Sequence, residues 1–506
     1  MNIGIFFVYN ELMELEKIFS EIELDADRQQ ALRQLESDMK YADPDLEWRS
    51  ACFLISWLRD VLTAAGKLDE AVLTVLGDQI QERMLFLQEM LSGQGEKYRE
   101  FTRRVAPYLI YVPDGTCFGA LQAFAYELGA ALERAGYQVI YAGKDELTPE
   151  FVNSLIGRTF RGIIGFQNMS FSLKLKDGRY LYDLIDAPLY EMVFDHPCWY
   201  GDEFMDMPQQ VTFLCVDRYY AAYIEKYLHH RAVLFPPAGE RTDLCDMTFD
   251  EFVSEKKKEI IYPLSFMGTC TDSLDEDMAA IQMKQPQLFP LACTYVKRMM
   301  TEVRKPQDVV LWEILSDASV MKEYFNRDTF FSDEEFVKFC KSWAFLGKDV
   351  SQRLRKKVVK AVLEAGIELH VFSDTFAEFK KYPNLHIHPG VEYKDVCEVY
   401  RESLISLNVM TGHKAGFTER VADIMLNGAL CVTEGTEYMD EEFTNSEDIE
   451  TFRLSDEDID DVPGRIMELL DDKERTMQRA YNGMKKSSEE HTWDSRVRRL
   501  EEMFYA

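Results

Sequence analysis

The chain has 506 residues, 46% of them hydrophobic and 13% aromatic, a globular composition long enough for roughly two to four domains. Its 57 lysines and arginines against 89 acidic residues give a net charge of −32, which argues against general nucleic-acid or anionic-membrane binding, so a phosphorylated ligand would need a local positive pocket. Ten cysteines without a C-x-x-C pair argue against a zinc ribbon or a disulfide framework and suit a reducing, cytoplasmic setting.

The opening MNIGIFFVYNELMELE turns acidic too soon for a signal peptide, and no apolar run approaches the roughly 20 residues of a membrane helix. Leu12, Leu15, Ile18 and Phe19 recur at helical spacing, as do Ile55, Leu58, Val61 and Leu62. Residues 1–104 therefore read as a helical N-terminal region, suited to packing, to homo-oligomer formation or to acceptor recognition.

At Pro107 the texture changes. Tyr108–Val112 is a strand, Phe118–Ala135 a helix ended by Gly136, and Tyr137–Tyr141 a second strand, the opening of a doubly wound sheet. No G-x-G-x-x-G is present, so a dinucleotide cofactor is not expected. Strands continue at Arg161–Phe166, Pro188–Phe194 and Val211–Val216, and Val233–Gly239 reads as the exit from this sheet. The fourth strand runs into Asp195-His196-Pro197. An imidazole there could act as a general base oriented by Asp195, and the competing reading is a turn whose Asp caps backbone N–H groups.

Lys256-Lys257-Lys258 reads as a solvated linker, and Ile260–Met267 as the first strand of a second sheet, followed by the Gly268-Thr269 turn. From Leu274 to about Phe345 the pattern is helical, with Asp275-Glu276-Asp277 on a helix face. Gln352–Leu363 is a basic amphipathic helix carrying Arg353, Arg355, Lys356, Lys357 and Lys360. Strands follow at Gly366–Phe372 and Asn384–His388. His386 and His388 read as a surface pair, because the sequence shows no third ligand nearby.

The stretch Ser403–Thr433 reads as strand, glycine-bearing loop, helix, strand. Thr418 is the expected N-cap, its hydroxyl taking an orphan N–H, and Asn427-Gly428 stops the helix. A helix start after a glycine loop offers free N–H groups and a positive dipole to phosphate. Glu419 and Asp423 share one helix face, and Arg420 could fork onto a diphosphate. The plainer reading of these three is a solvated helix face.

GFTERVADIMLNGALCVTE is similar to the C-terminal signature of GT-B glycosyltransferases of group 1 type, especially the spore-maturation-protein-like branch. The matching features are Gly416-Phe417, Glu419-Arg420, Asp423, Gly428 and Thr433. The resemblance implies an α/β fold of two Rossmann-like domains, with a helical N-terminal region and a helical insertion. It places an acceptor domain at 105–255, a donor domain at 256–484 with its insertion at about 274–345, and a crossover helix at 485–506.

The implied donor site has the Gly416, Phe417 and Thr418 backbone and Arg420 on phosphate, with Asp423 on the ribose. Gly268 approaches the donor, Arg353 its phosphates and Val391 the base. The first acid of the family's acidic pair falls at Ala415, with Glu419 as a partial substitute. Asp195 and His196 are the implied catalytic residues. The expected activity is metal-independent transfer from a nucleotide sugar, UDP-sugar favoured, to a protein or glycan acceptor. Neither a metal nor a separate cofactor is expected. A GT-B-type epimerase and a catalytically inactive nucleotide-sugar-binding scaffold remain open.

Overall fold

The computed structural model describes residues 106–115, 117–167, 170–175 and 178–505. The expected helical region at 1–104, and Thr116, Asn168 and Met169 of the expected loops, lie outside the described residues. The described residues divide into two compact units, those up to 110 with 138–163 and those within 170–189 in one, and those within 111–137, 164–167 and 190–505 in the other. All the candidate site residues belong to the second.

The first sheet holds β1 (Tyr108–Tyr111), β2 (Val139–Ala142), β3 (Gly162–Phe166), β4 (Leu189–Val193), β5 (Val211–Cys215) and β6 (Arg231–Leu234), in the order β2-β1-β3-β4-β5-β6. Strands β3, β4 and β5 are buried at every residue, as continuous apolar runs covered on both faces should be. Helices α1 (Ala120–Arg134), α2 (Pro149–Leu155), α3 (Gly201–Met205) and α4 (Arg218–Tyr223) connect them. The expected exit at Val233 overlaps β6, which pairs parallel with β5.

The chain then forms α5 (Phe249–Glu259), capped by a reciprocal Thr248–Glu251 box. The lysine triplet is therefore no solvated linker. Lys256 is fully buried on the inner face of α5 and donates to the carbonyls of Arg401 and Ser403. Burial pushes its pKa down to about 7.

The second sheet holds β7 (Tyr262–Phe266), β8 (Leu369–Phe372), β9 (Leu385–His388), β10 (Ser403–Asn408), β11 (Leu430–Glu434) and β12 (Glu450–Phe452). Its order is β12-β11-β10-β7-β8-β9, and every neighbouring pair is parallel. This is the Rossmann order, with its topological switch point between β7 and β10. Two Rossmann-like sheets are thus present, as expected of a GT-B fold.

Between β7 and β8 lie α6 (Leu274–Lys284), α7 (Phe289–Thr301), α8 (Gln307–Leu315), α9 (Ala318–Phe325) and α10 (Asp333–Glu364). The basic stretch 352–363 is the last third of this 32-residue α10. Gly347 lets α8 press against α10, since a Cβ there would meet the Gln307 side chain at 1.6 Å. The remaining helices are α11 (Tyr393–Arg401), α12 (Glu419–Leu426), α13 (Glu437–Glu442), α14 (Asp456–Asp471), α15 (Lys473–Glu490) and α16 (Trp493–Tyr505). Helix α16 packs on α1, where the Trp493 indole donates to Glu127 at 2.7 Å and Arg134 pairs with Asp494 at 2.9 Å. Among the described residues no helix is long and apolar enough to cross a membrane.

Candidate functional site

In a doubly wound sheet, ligands bind outside the carboxyl ends of the strands at the switch point. Here that place is occupied by cations. Arg355, on the buried stripe of α10, reaches both strand ends. Its Nε donates to the Val409 carbonyl after β10 at 2.9 Å, and its Nη1 to the Thr269 carbonyl after β7 at 2.6 Å. Both Arg355 and Arg420 touch the Met410 sulfur, at 3.6 and 3.0 Å. Gly268 adopts φ 145°, and a Cβ on it would lie 3.5 Å from the Arg420 guanidinium. The structure therefore brings Gly268 and Arg420 together and adds Arg355.

These two arginines lack strong anionic partners. Arg355 is buried and bonds only carbonyls and sulfur among the contacts just given. Burial and the neighbouring Arg420 push its pKa down to about 10, against the pull of Glu434. Arg420 has Glu419 at 3.8 Å. Lys414, half-buried, is pushed down to about 8 by burial, and Glu434 up to about 7 by burial despite Lys414 and Arg355. Lys414 and Glu434 line a cavity of about 20 Å³ with His413, Arg304 and Arg453.

The same strand ends collect buried polar atoms without a hydrogen-bond partner: Asn408 Oδ1, Thr411 Oγ1, His413 Nδ1, Thr418 Oγ1 and Glu434 Oε1. Each such atom ordinarily costs about 1–3 kcal/mol. Their gathering on the β10 and β11 ends, beside three cationic side chains, is the pattern of a polar ligand site.

The loop between β10 and α12 is fixed from the first sheet. Asp217, fully buried after β5, accepts the Lys414 and Ala415 amides at 2.7 and 2.8 Å and the Tyr219 amide at 2.7 Å. The Phe417 amide donates to the Val216 carbonyl at 3.3 Å. Gly416 is required there, since a Cβ would meet the Val216 carbonyl at 2.5 Å and Asp217 at 2.8 Å. The expected amide cradle is therefore partly engaged, and the Phe417 ring is core, stacked on His491 at 4.7 Å. Thr418 is the N-cap residue, but its hydroxyl caps nothing, because the Val421 amide turns to the Thr418 carbonyl instead.

Asp423, three residues after Arg420 on α12, is bonded elsewhere. It is buried, accepts the Tyr393 hydroxyl at 2.9 Å, and has Glu127, Glu419 and Glu240 as charged neighbours. Burial, then Glu127, raises its pKa well above the carboxylate range. Tyr393 packs edge-on against Phe124 at 5.0 Å, and the neighbouring Gly390-Val391 turn faces Phe118.

The Asp195-His196 pair is not the expected dyad. His196 is buried; its Nδ1 accepts the Cys198 amide at 3.2 Å, so Nε2 carries the hydrogen that faces Asp308 at 2.9 Å. The acid orienting the ring thus comes from α8. Asp195 is exposed and instead accepts from Gln167 at 2.7 Å, with the Tyr200 hydroxyl at 3.4 Å. Arg353 is likewise committed elsewhere, to Asp272 and Asp275, both at 2.9 Å. Asp275 sits in the first turn of α6, on the helix face expected for it.

The fold and the cation-lined switch point define a doubly wound α/β protein with two Rossmann-like sheets. Residues 352–502, from the end of α10 into α16, match the family described as glycosyl transferase-like. No match was found among curated proteins. Solved structures with a similar chain course include a sucrose-phosphate synthase from Thermosynechococcus elongatus, at 8% identity and a TM-score of 0.44 over 79% of this chain and 98% of that one. A glycosyltransferase from Rickettsia africae gives 8% and 0.41 over 79% and 97%. The Anabaena protein HepE in complex with UDP gives 8% and 0.42 over 79% and 99%.

Proposed function

We propose that this protein is a glycosyltransferase of the GT-B, spore-maturation-protein-like type, moving a sugar from a nucleotide donor, UDP-sugar favoured, to a protein or glycan acceptor. The observation that carries the reading is the Arg355–Arg420 pair at the β7/β10 switch point, two cations with no strong carboxylate partner beside a set of orphaned polar atoms. A diphosphate supplies what this arrangement lacks: two negative charges and acceptor oxygens.

In this reading the domains run 105–255 for the acceptor and 256–484 for the donor, with 485–506 as the crossover. The diphosphate lies against Gly268, Arg355 and Arg420, at the start of α12. Asp423 takes the ribose hydroxyls in exchange for the Tyr393 hydroxyl it now accepts, and the turn at Val391 meets the base. As the sugar leaves, negative charge grows on the diphosphate, and the fixed guanidinium groups stabilise it without a metal. Asp195, the exposed acid after β4, is the base toward the acceptor hydroxyl, and His196 with Asp308 positions its turn. The protein works in the cytoplasm, and residues 1–104 serve self-association or acceptor recognition.

Ala415 favours a second reading, nucleotide-sugar binding without transfer, because a methyl group replaces the family's sugar-orienting acid there. Calorimetric titration with UDP-, GDP-, dTDP- and ADP-sugars tests both readings. At least one should bind, and Arg420→Ala should lose it; no binding by any would overturn both. Binding with neither hydrolysis nor transfer would select the second.

A further inference from the structure

Strands β8 and β9 pair in parallel register, Leu369 with Leu385, His370 with His386, and Phe372 with His388. Side chains two apart on a strand share a face, and in-register neighbours stand side by side. Glu368, His370, His386 and His388 are thereby gathered on one face of the sheet's outer strand pair. The sequence spacing shows only a pair of histidines on β9; the strand pairing supplies the third ligand that the sequence does not reveal.

Glu368 Oε1 lies 3.0 Å from His370 Nε2 and 3.4 Å from His386 Nε2. One ligand atom from each of the three residues falls within 4.8 Å of the others. For a zinc-sized ion with ligands at about 2.0–2.1 Å, neighbouring ligand atoms in a tetrahedron lie about 3.3 Å apart. The two distances bracket that value. Both Nε2 atoms approach the same Glu368 oxygen and so face the same side. The two rings stack at 4.6 Å and 13°, and a rotation about χ2 of the exposed His386 brings both lone pairs onto one ion. The other nitrogen of His370, Nδ1, is bonded to His388 Nε2 at 3.0 Å. That outer contact fixes the tautomer and direction of a ligating imidazole. The side chains of Glu368 and His386 are 52% and 46% exposed, so an ion has an open approach and water can complete the tetrahedron.

The geometry points to a binding site for one divalent transition metal, of the zinc class, held by Glu368, His370 and His386, with His388 as a positioning residue. An ion there clamps the edge strand β9 to β8. It lies outside the switch point and takes no part in the transfer chemistry proposed above.

The test uses the full chain without a histidine tag, stripped with chelator, and titrated with Zn²⁺ and with Co²⁺. The expected result is one equivalent of either metal per chain, a rise in Tm, and visible Co²⁺ bands of four-coordinate nitrogen and oxygen ligation. Glu368→Gln and His386→Gln change exposed side chains and should fold; each should abolish the stoichiometric binding. His388→Gln should weaken it about 10–100-fold while leaving the stoichiometry unchanged. No stoichiometric binding, binding retained in both Glu368→Gln and His386→Gln, or a sulfur-to-cobalt charge-transfer band would overturn the assignment. Because the readout is metal content and spectrum, its failure leaves the transferase reading untouched.

Discussion

Replacing Arg355 with methionine separates a ligand-binding cation from a structural post. Its pKa is lowered from 12.5 to about 10, which at about 1.36 kcal/mol per pH unit is a penalty of about 3 kcal/mol on the buried cation. Against this stand its bonds to the Val409 and Thr269 carbonyls, each contributing about 1.5–3 kcal/mol as a charged hydrogen bond. Methionine removes both terms and keeps most of the apolar stem, so the unliganded protein should lose no more than about 3 kcal/mol. A diphosphate, however, loses a charged contact of about 1.5–3 kcal/mol, or about 10–150-fold in Kd. Chemical denaturation gives the first quantity and calorimetry with UDP the second. A large loss of stability with UDP affinity unchanged would refute the reasoning and make Arg355 a structural tie between β7 and β10.

Glu127, beneath Trp493, is raised from 4.5 to about 7, mainly by burial. Because its folded pKa lies above its unfolded one, its contribution is full below about pH 4.5 and is lost as pH rises through 7. Glu127→Gln keeps an acceptor for Trp493 and should gain on wild type between pH 5 and 8, by at most about 3 kcal/mol in urea denaturation; an offset independent of pH would contradict this. Gly416→Ala places a Cβ 2.5 Å from the Val216 carbonyl and should cost about 1–3 kcal/mol, and an unchanged Tm would show the loop is not held by Asp217. Asp308→Ala should cost about 1–3 kcal/mol by orphaning His196, with Asp308→Asn largely restoring stability, as read by thermal denaturation. Asp195→Asn should leave stability within about 0.5 kcal/mol yet cut transfer about 100-fold or more, and equal loss from all three would deny Asp195 its separate role.

Strands were legible where apolar runs stand between turns, so β1 to β5 fall within about two residues of their expected places. The strand–loop–helix–strand around Gly416 was legible for the same reason. Arg353 does not reach the β7 and β10 ends, because it lies off the buried stripe of α10 and pairs with Asp272 and Asp275. Arg355 stands one turn before Val358 and Val359 and two before Val362, all buried, and that spacing was the available signal. The partner of His196 could not be found from spacing, since Asp308 comes from a helix 112 residues away. Lys256 looked solvated because three lysines in a row usually are, whereas α5 turns the first of them inward.

The most direct measurement is a crystal structure of the full chain soaked with UDP. The account predicts diphosphate density within hydrogen-bonding distance of both Arg355 and Arg420, against the Gly268 turn, with the ribose toward Asp423. UDP bound elsewhere, or density in contact with neither arginine, would contradict it.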